Sequence, residues 1–377
     1  MDDRLLFTGS FPGYPLTGWD GVRSRFAWLQ TLHDVPQDAR FHAEGDVLIH
    51  TRMVFEAMMQ LVELLHCTEA ERGVLLTAAL LHDIAKPLCT KIEANGRITS
   101  KGHARRGGLL ARRLLMSGDG LDECLPLTMR EYIVRLVRYH GLPLHFFDRE
   151  EKELLAASQC VRLDHLALLA EADVRGRICD DQAELLDRVA LFREFCSELG
   201  CYEAPYRFSS DFSRFEYFHS ERRDPAYDAY DATTCEVVML AGLPGAGKDT
   251  YLQQHYQDWP VISLDALRQE LHVSPEDDQG RVVQQAKERA RELLREQRSF
   301  VWNATNVTRM LRAQLIDLFV AYGARVRLIY IETPLEKLLQ RNRERQAGVP
   351  ESVIFKLLSK LEVPDPIEAH HVEWVTS

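Results

Sequence analysis

One stretch constrains this chain more than any other: Val237-Val-Met-Leu-Ala-Gly242-Leu-Pro-Gly245-Ala246-Gly247-Lys248-Asp249-Thr250. An apolar run the length of one buried strand leads into three glycines, and helix-forming sequence follows. Glycines reach positive φ and let successive N–H groups approach an anion, while a helix start adds partial positive charge. A lysine directly after the last glycine can reach the outer phosphates of a nucleotide. The pattern predicts a strand, a phosphate-cradling turn of Gly242, Gly245, Ala246 and Gly247, and a helix opening with Lys248, Asp249 and Thr250. One position departs from the usual pattern, which places Ser or Thr after the lysine so that its hydroxyl meets Mg²⁺. Here Asp249 either binds the ion, directly or through water, or only caps the helix.

From residue 235 onward, short β-rich runs at 236–240, 261–264, 300–302, 326–331 and 371–375 alternate with helical stretches. That alternation is the signature of a parallel sheet covered by helices. Asp265 falls at the carboxyl end of the second run, on the rim where open α/β sheets bind ligands. A carboxylate there can accept the proton of an attacking hydroxyl, and Arg268 can hold a phosphate beside it. Arg341 and Arg345 share one helix face, whereas Arg343 does not. Two guanidiniums closing over phosphates neutralise charge that develops during transfer. Asn303-Ala-Thr305-Asn306 forms a polar turn after the third run. Together these elements resemble the P-loop polynucleotide 5′-kinase family over about 140 residues. The resemblance implies ATP and Mg²⁺ as cofactors, Lys248 on the ATP phosphates, Asp265 as general base, Arg268 on the acceptor's 3′-phosphate, and Arg341 and Arg345 as lid arginines.

The first half reads differently. From about 40 to 200, apolar residues recur at spacings of three and four over 47–65, 73–85, 103–116, 130–139, 164–175 and 183–199, and no convincing strand intervenes. Nine of the fourteen histidines precede residue 200. His82 and Asp83 are read on an apolar helix, with Lys86 one turn on and placed to meet a phosphate oxygen. His50, His103, His140 and Asp173 lie on other helical segments, on faces that should be apolar. Imidazoles and carboxylates so distributed are what a metal site between helices requires. A bound divalent ion makes hydroxide available near neutral pH and polarises a phosphoryl group.

The spacing His50…His82-Asp83…Asp173 resembles the HD phosphohydrolase superfamily from about residue 40 to 180. That resemblance implies a metal-binding signature on those four residues, with His103 and His140 completing a second site in two-metal members. The phrase His42-Ala-Glu-Gly-Asp46-Val-Leu-Ile-His50-Thr is also similar to HD domains appended to transfer-RNA nucleotidyltransferases. Those act on 2′,3′-cyclic phosphates and phosphomonoesters. His/Asp ligation suits Mn²⁺, Co²⁺, Ni²⁺, Zn²⁺ or iron. His42 and His145 are read as structural. Arginines at 105, 106, 112, 113, 130, 135 and 138 either line a strand backbone's path or form a solvated face.

The resulting expectation is a multidomain chain: an all-α HD-type domain over 1–201, an ordered aromatic-rich strap over 202–234, and an α/β P-loop kinase domain with a central parallel sheet over 235–377. This order resembles the bacterial HD-domain polynucleotide kinases of RNA repair. It implies a bifunctional enzyme that phosphorylates 5′-OH ends with ATP or another NTP, and removes 2′,3′-cyclic phosphate or 3′-phosphate ends of RNA or DNA. No ligase motif is evident, so a separate RNA ligase is the implied partner. Two alternatives stand beside it: a nucleotide-metabolising enzyme with an HD nucleotidase and a small-molecule or nucleoside kinase, and a non-catalytic nucleotide sensor.

Composition bounds these readings. With 46 basic and 57 acidic side chains the net charge is −11, which excludes a broad duplex-coating surface. Residues 235–377 carry 18 basic and 20 acidic side chains and the first 234 carry 28 and 37, so the acidity sits mainly with the metal-binding half. The apolar runs fall short of the ~18 residues of a membrane span. The beginning of the chain lacks a signal-peptide pattern, and the eight scattered cysteines contain no C-x-x-C pair. A cytoplasmic protein without membrane contact is expected.

Overall fold

A computed structural model of the protein describes residues 18–221, 223–273, 278–344 and 348–377. The chain divides into two compact units, 1–207 and 208–377.

The first unit is helical. Helix α1 (Trp19–Arg25) and a 3₁₀ turn (Ala27–Leu32) precede α2 (Val47–Leu64), α3 (Glu69–Leu81) and the short α4 (Lys86–Cys89). A hairpin of β1 (Lys91–Ile92) and β2 (Ile98–Thr99) leads to α5 (His103–Ser117), α6 (Leu127–Tyr139), α7 (Leu142–His145), α8 (Glu151–Ser158), α9 (Leu163–Arg175) and α10 (Gln182–Glu198). Local chemistry marks the helix starts. Asp46 accepts the Ile49 N–H at 2.9 Å to open α2. Thr68 and Glu71 form a reciprocal capping box at the start of α3. All six helical stretches expected from periodicity are present, with ends displaced by no more than four residues. The two-residue strands of the hairpin escaped that reading, because they are too short to show a period.

One displacement has chemical consequences. Helix α3 stops at Leu81, so His82 and Asp83 lie in a turn rather than on the expected helix. Pro87, in the first turn of α4, has no N–H to donate and its ring clashes with the carbonyl four residues back, that of Asp83. The chain therefore tightens, with Ile84 N bonded to Leu81 O and Lys86 N to Asp83 O. On a continuous helix the two side chains would diverge by about 100°; the turn lets both face one point.

The second unit opens with α11 (Asp211–His219), within the aromatic stretch where the sequence showed no period. Phe215 stacks on His370 with ring centroids 3.8 Å apart, and Phe212 at 5.5 Å. Then follow β3 (Cys235–Ala241), α12 (Lys248–His255), β4 (Val261–Ser263), α13 (Leu264–Glu270), α14 (Gly280–Arg295), β5 (Phe300–Asn303), α15 (Arg309–Val320), β6 (Ala324–Glu332), α16 (Leu335–Glu344), α17 (Glu351–Leu358) and β7 (His371–Thr376). All five expected strands form one parallel sheet, ordered β4-β5-β3-β6-β7. Val238, Leu240, Val301, Ile329 and Ile331 bury one layer of it, against Leu252, Tyr256 and Trp259. Ser263, Asn303 and Leu240 stand in register. The carboxyl ends of β4, β5 and β3 thus finish together and carry their following loops on one edge.

Candidate functional sites

In the first unit, helix ends converge. His82 and His140 are the residues at which α3 and α6 terminate, and Asp173 lies in the last turn of α9. His50 is in the first turns of α2, and His103 opens α5. The three helix C-termini favour positive charge there, partly offset by the N-terminal turns of α2 and α5. Gly176 permits the approach of α9 to α2: a Cβ on it would stand 2.6 Å from Val54 Cγ2 and 2.7 Å from Val54 N.

The six expected ligands form one continuous cluster, joined by Asp83. His50 Nε2 lies 3.1 Å from Asp173 Oδ1, 3.4 Å from His82 Nε2 and 3.7 Å from Asp83 Oδ2. His82 Nε2 is 3.2 Å from that same Asp83 oxygen. The other oxygen, Asp83 Oδ1, is 3.3 Å from His103 Nε2, which in turn is 3.2 Å from His140 Nε2. His50, His82, Asp83, Asp173 and His140 are buried.

These contacts fit ions held between the side chains. The Nδ1 atoms of His50, His82, His103 and His140 each face a backbone carbonyl, of Gly176, Ala79, Ser100 and Val137, at 2.7–3.1 Å. A carbonyl can only accept, so each Nδ1 carries the proton and each Nε2 presents a lone pair. Lone pairs then face one another and the carboxylates, which is repulsive unless a cation lies between them. Asp83 Oδ1 is moreover buried without a hydrogen-bond partner. The ionisation states of three cluster residues agree with ligation, whereas His50 is pushed up, its burial being outweighed by Asp173 and Glu44. Burial pushes the Asp83 carboxyl up, but Lys86, His82 and His103 outweigh it and hold it well below the usual range. Asp173 is likewise held low, burial being outweighed by Arg177 and His50. Burial, aided by neighbouring His103 and His82, holds His140 neutral, down to about 3.

Several supporting side chains were not singled out from the sequence. Glu44 accepts from Nδ1 of His42 at 2.8 Å and from Nδ1 of His50 at 2.9 Å, and its other oxygen takes the Ile178 N–H. His42, expected to be structural, packs edge-on against His50 at 4.7 Å and so belongs to the surroundings of the cluster. Arg177 grips both Asp173 oxygens, at 3.0 and 2.5 Å. Lys86, expected from the sequence to meet a phosphate oxygen, is instead buried and donates to Asp83 Oδ2 at 2.6 Å and Gln37 Oε1 at 2.6 Å. An acid two residues after a histidine was a readable signal for Glu44, whereas Gln37 and Arg177 gave none. Among the arginines, Arg112, Arg130 and Arg135 form neither a strand path nor a solvated face: they are buried around Glu131.

In the second unit, the glycine turn follows the central strand β3. Gly242, Gly245 and Gly247 have φ of +148°, +85° and +99°. A Cβ on Gly242 would stand 2.4 Å from the Ile331 carbonyl oxygen, so that position admits no side chain. Lys248 Nζ donates to the loop's own carbonyls, of Gly242 at 3.0 Å and Leu243 at 2.9 Å. Asn303 Nδ2 donates to Asp249 Oδ1 at 2.8 Å, and Gly242 N to Thr305 O at 2.9 Å. Asp265 sits in the first turn of α13, beyond the strand proper; Ser263, not Asp265, caps that helix. Asp265 is paired with Arg268, which also donates to Gln279 Oε1 at 2.7 Å. Arg341 reaches back to Thr333 Oγ1 at 3.0 Å, with a guanidinium nitrogen 3.9 Å from where a Gly247 Cβ would be. Arg343 points to Glu351 instead. Arg345 lies outside the described residues.

Comparison with known proteins agrees with this division. Residues 47–167 match the family model described as HD domain, and residues 237–364 match the one described as AAA domain. A stretch similar to HD domains is thus followed along the chain by one similar to AAA domains. The chain is 31% identical over 172 residues to the multifunctional CCA protein of Xanthomonas oryzae pv. oryzae, covering 44% of this chain and 38% of that protein. It is 25% identical over 135 residues to the L-seryl-tRNA(Sec) kinase of Methanococcus maripaludis, covering 34% of this chain and 53% of that protein. The chain thus spans about two-fifths to half of the length of these curated relatives. Among solved structures, a sugar kinase from Janibacter sp. aligns over 38% of this chain and 85% of its own, with 18% identity and a TM-score of 0.31. No helix among the described residues is long and apolar enough to cross a membrane.

Proposed function

We propose that the chain is a bifunctional RNA end-healing enzyme, acting on 2′,3′-cyclic phosphate or 3′-phosphate ends with its first unit and on 5′-OH ends with its second. The observation that carries this reading is the presence in one chain of two separate phosphate-handling constellations. One is the buried cluster joined by Asp83; the other is the loop of Gly242–Lys248 with the Asp265–Arg268 pair on the same sheet edge. A kinase named for transfer RNA among the relatives supports an RNA acceptor.

In the first unit, His50, His82, Asp83 and Asp173 would hold one divalent ion, and Asp83, His103 and His140 a second. Such ions, when bound, supply hydroxide and polarise the phosphoryl group. Lys86 fixes the Asp83 carboxylate and Arg177 fixes Asp173, so that the ligands are oriented before substrate arrives. In the second unit, Lys248 turns from the loop carbonyls to the outer phosphates of ATP, which Mg²⁺ accompanies. Asp265 takes the proton of the attacking 5′-hydroxyl, Arg268 holds an acceptor phosphate, and Arg341 offsets charge at the transferred group. Arg345 is assigned beside Arg341 from the sequence alone.

The test is an RNA with 5′-OH and 2′,3′-cyclic phosphate ends, incubated with ATP and a panel of divalent metals. Both ends should be modified. Phosphorylation of free nucleosides in preference to the oligonucleotide would replace the proposal with the nucleotide-metabolising alternative.

A further inference from the structure

Asp249 is the loop residue the usual pattern does not account for. It is the second residue of α12, whose N-terminus is formed by Gly247 without a side-chain cap. Among the described residues its carboxylate takes no backbone N–H, so helix capping does not explain it. Its partner is Asn303, buried at the end of β5, which donates Nδ2–H to Asp249 Oδ1 at 2.8 Å. Asn303 is held by register with Leu240 on one side and Ser263 on the other. The amide therefore holds one carboxylate oxygen from a rigid strand, and Oδ2 has no hydrogen bond among the described residues.

The position matters because of charge. Asp249 adjoins Lys248 at the start of the helix whose N–H groups face the phosphate cradle. A metal-free nucleoside triphosphate brings several negative charges toward this fixed carboxylate, and like charges at close range repel. A divalent cation between them turns the same carboxylate into an attractive partner, and Mg²⁺ readily takes one protein carboxylate together with phosphate oxygens. A neutral hydroxyl at this position imposes no such condition.

We infer that Asp249, aimed by Asn303, makes nucleotide binding conditional on a divalent cation: the loop accepts the metal–nucleotide complex and rejects the bare nucleotide. The inference rests on the kinase reading above and adds a selection rule to it.

Equilibrium binding of ATP to the full chain, in Mg²⁺ and in EDTA, tests this directly. Wild type should bind in Mg²⁺ and about a hundredfold more weakly in EDTA. Asp249→Asn, which keeps the shape and can still accept from Asn303, should shrink that ratio below about tenfold, chiefly by tighter metal-free binding. Asn303→Ala retains the charge, so it should still reject metal-free ATP while binding the magnesium complex more weakly. Circular dichroism melts establish folding, and Asp249→Ser serves if Asp249→Asn does not fold. Equal wild-type binding in both conditions, or an unchanged ratio in the Asp249 variants, overturns the inference and leaves the kinase reading standing. No ATP binding by wild type in either condition overturns both.

Discussion

The two candidate sites are built in opposite ways. The histidine–aspartate cluster is buried and held from behind, with every Nδ1 tied to a carbonyl and the carboxylates gripped by Lys86 and Arg177. The phosphate site is open: the Asp265 side chain is 84% exposed, and Lys248 rests on its own loop's carbonyls. The first arrangement is complete before anything binds, whereas the second must rearrange around its ligand. This difference matches the chemistry proposed for each. Metal ligands lose affinity when they wander, whereas a kinase has to admit and release a nucleotide on every turnover.

Substitutions can break this comparison, and the largest effect is expected from the reacting groups. Asp83→Ala should lower 3′-end hydrolysis by a factor of about 10² or more while leaving 5′-phosphorylation nearly intact, and Asp265→Ala should do the reverse. End-labelled RNA assays of both activities on each variant decide it. Loss of both activities in either folded variant would mean the sites are not independent.

A smaller effect follows from removing support rather than a ligand. Glu44→Gln should weaken divalent-metal affinity by about 10–100-fold, measured by competition with a chromogenic chelator, with little change in nucleotide binding. Affinity within a factor of two of wild type would show that the cluster is not held by its surroundings.

Gly176→Ala sharpens the contrast between a packed site and an open one. The added methyl meets the backbone of Val54, so α9 and α2 must separate at a cost of about 1–3 kcal/mol. Urea unfolding should register that loss together with weaker metal binding. An unchanged midpoint would show that this helix pair yields easily.

The smallest effects concern acid. Burial raises the Glu131 carboxyl, but Arg112, Arg130 and Arg135 outweigh it and bring it to about 2 from its usual 4.5. Its stabilising contribution is complete above pH 4.5 and fades as pH falls from there toward 2. In the second unit, burial brings His370 down to about 3 from 6.5, reinforced by Arg325 and, less strongly, by His219 and Arg214, with Asp231 opposing. Its contribution, as a neutral ring, fades from pH 6.5 downward. Urea midpoints between pH 7 and 4 should therefore flatten for His370→Phe throughout that fall, and for Glu131→Gln only below 4.5. Parallel profiles for His370→Phe and wild type would refute the assignment.

What could be read from the sequence follows a physical divide. The glycine loop and the five strands were legible because backbone conformation and short-range pattern dictate them. The six cluster residues stood out as polar side chains on helical faces that should be apolar, with His103 and His140 tied to the set by the HD resemblance. The break at His82 was hidden, since apolar periodicity runs through it and only Pro87 hinted at the stop. The burial of Arg112, Arg130 and Arg135 was hidden too, because charge is ordinarily a surface signal and the compensating Glu131 is visible only in three dimensions. Gln37 and Arg177 act through folding geometry and leave no local mark.

Gly176 carries this point into genetics. A random screen for loss of 3′-end activity should recover it alongside His50, His82 and Asp83, although it has no side chain to offer an ion. Scored only by phenotype it would pass for a ligand; scored by chemistry it would be overlooked. Its role is to be small where two helices cross, and the site's chemical groups meet because of that vacancy.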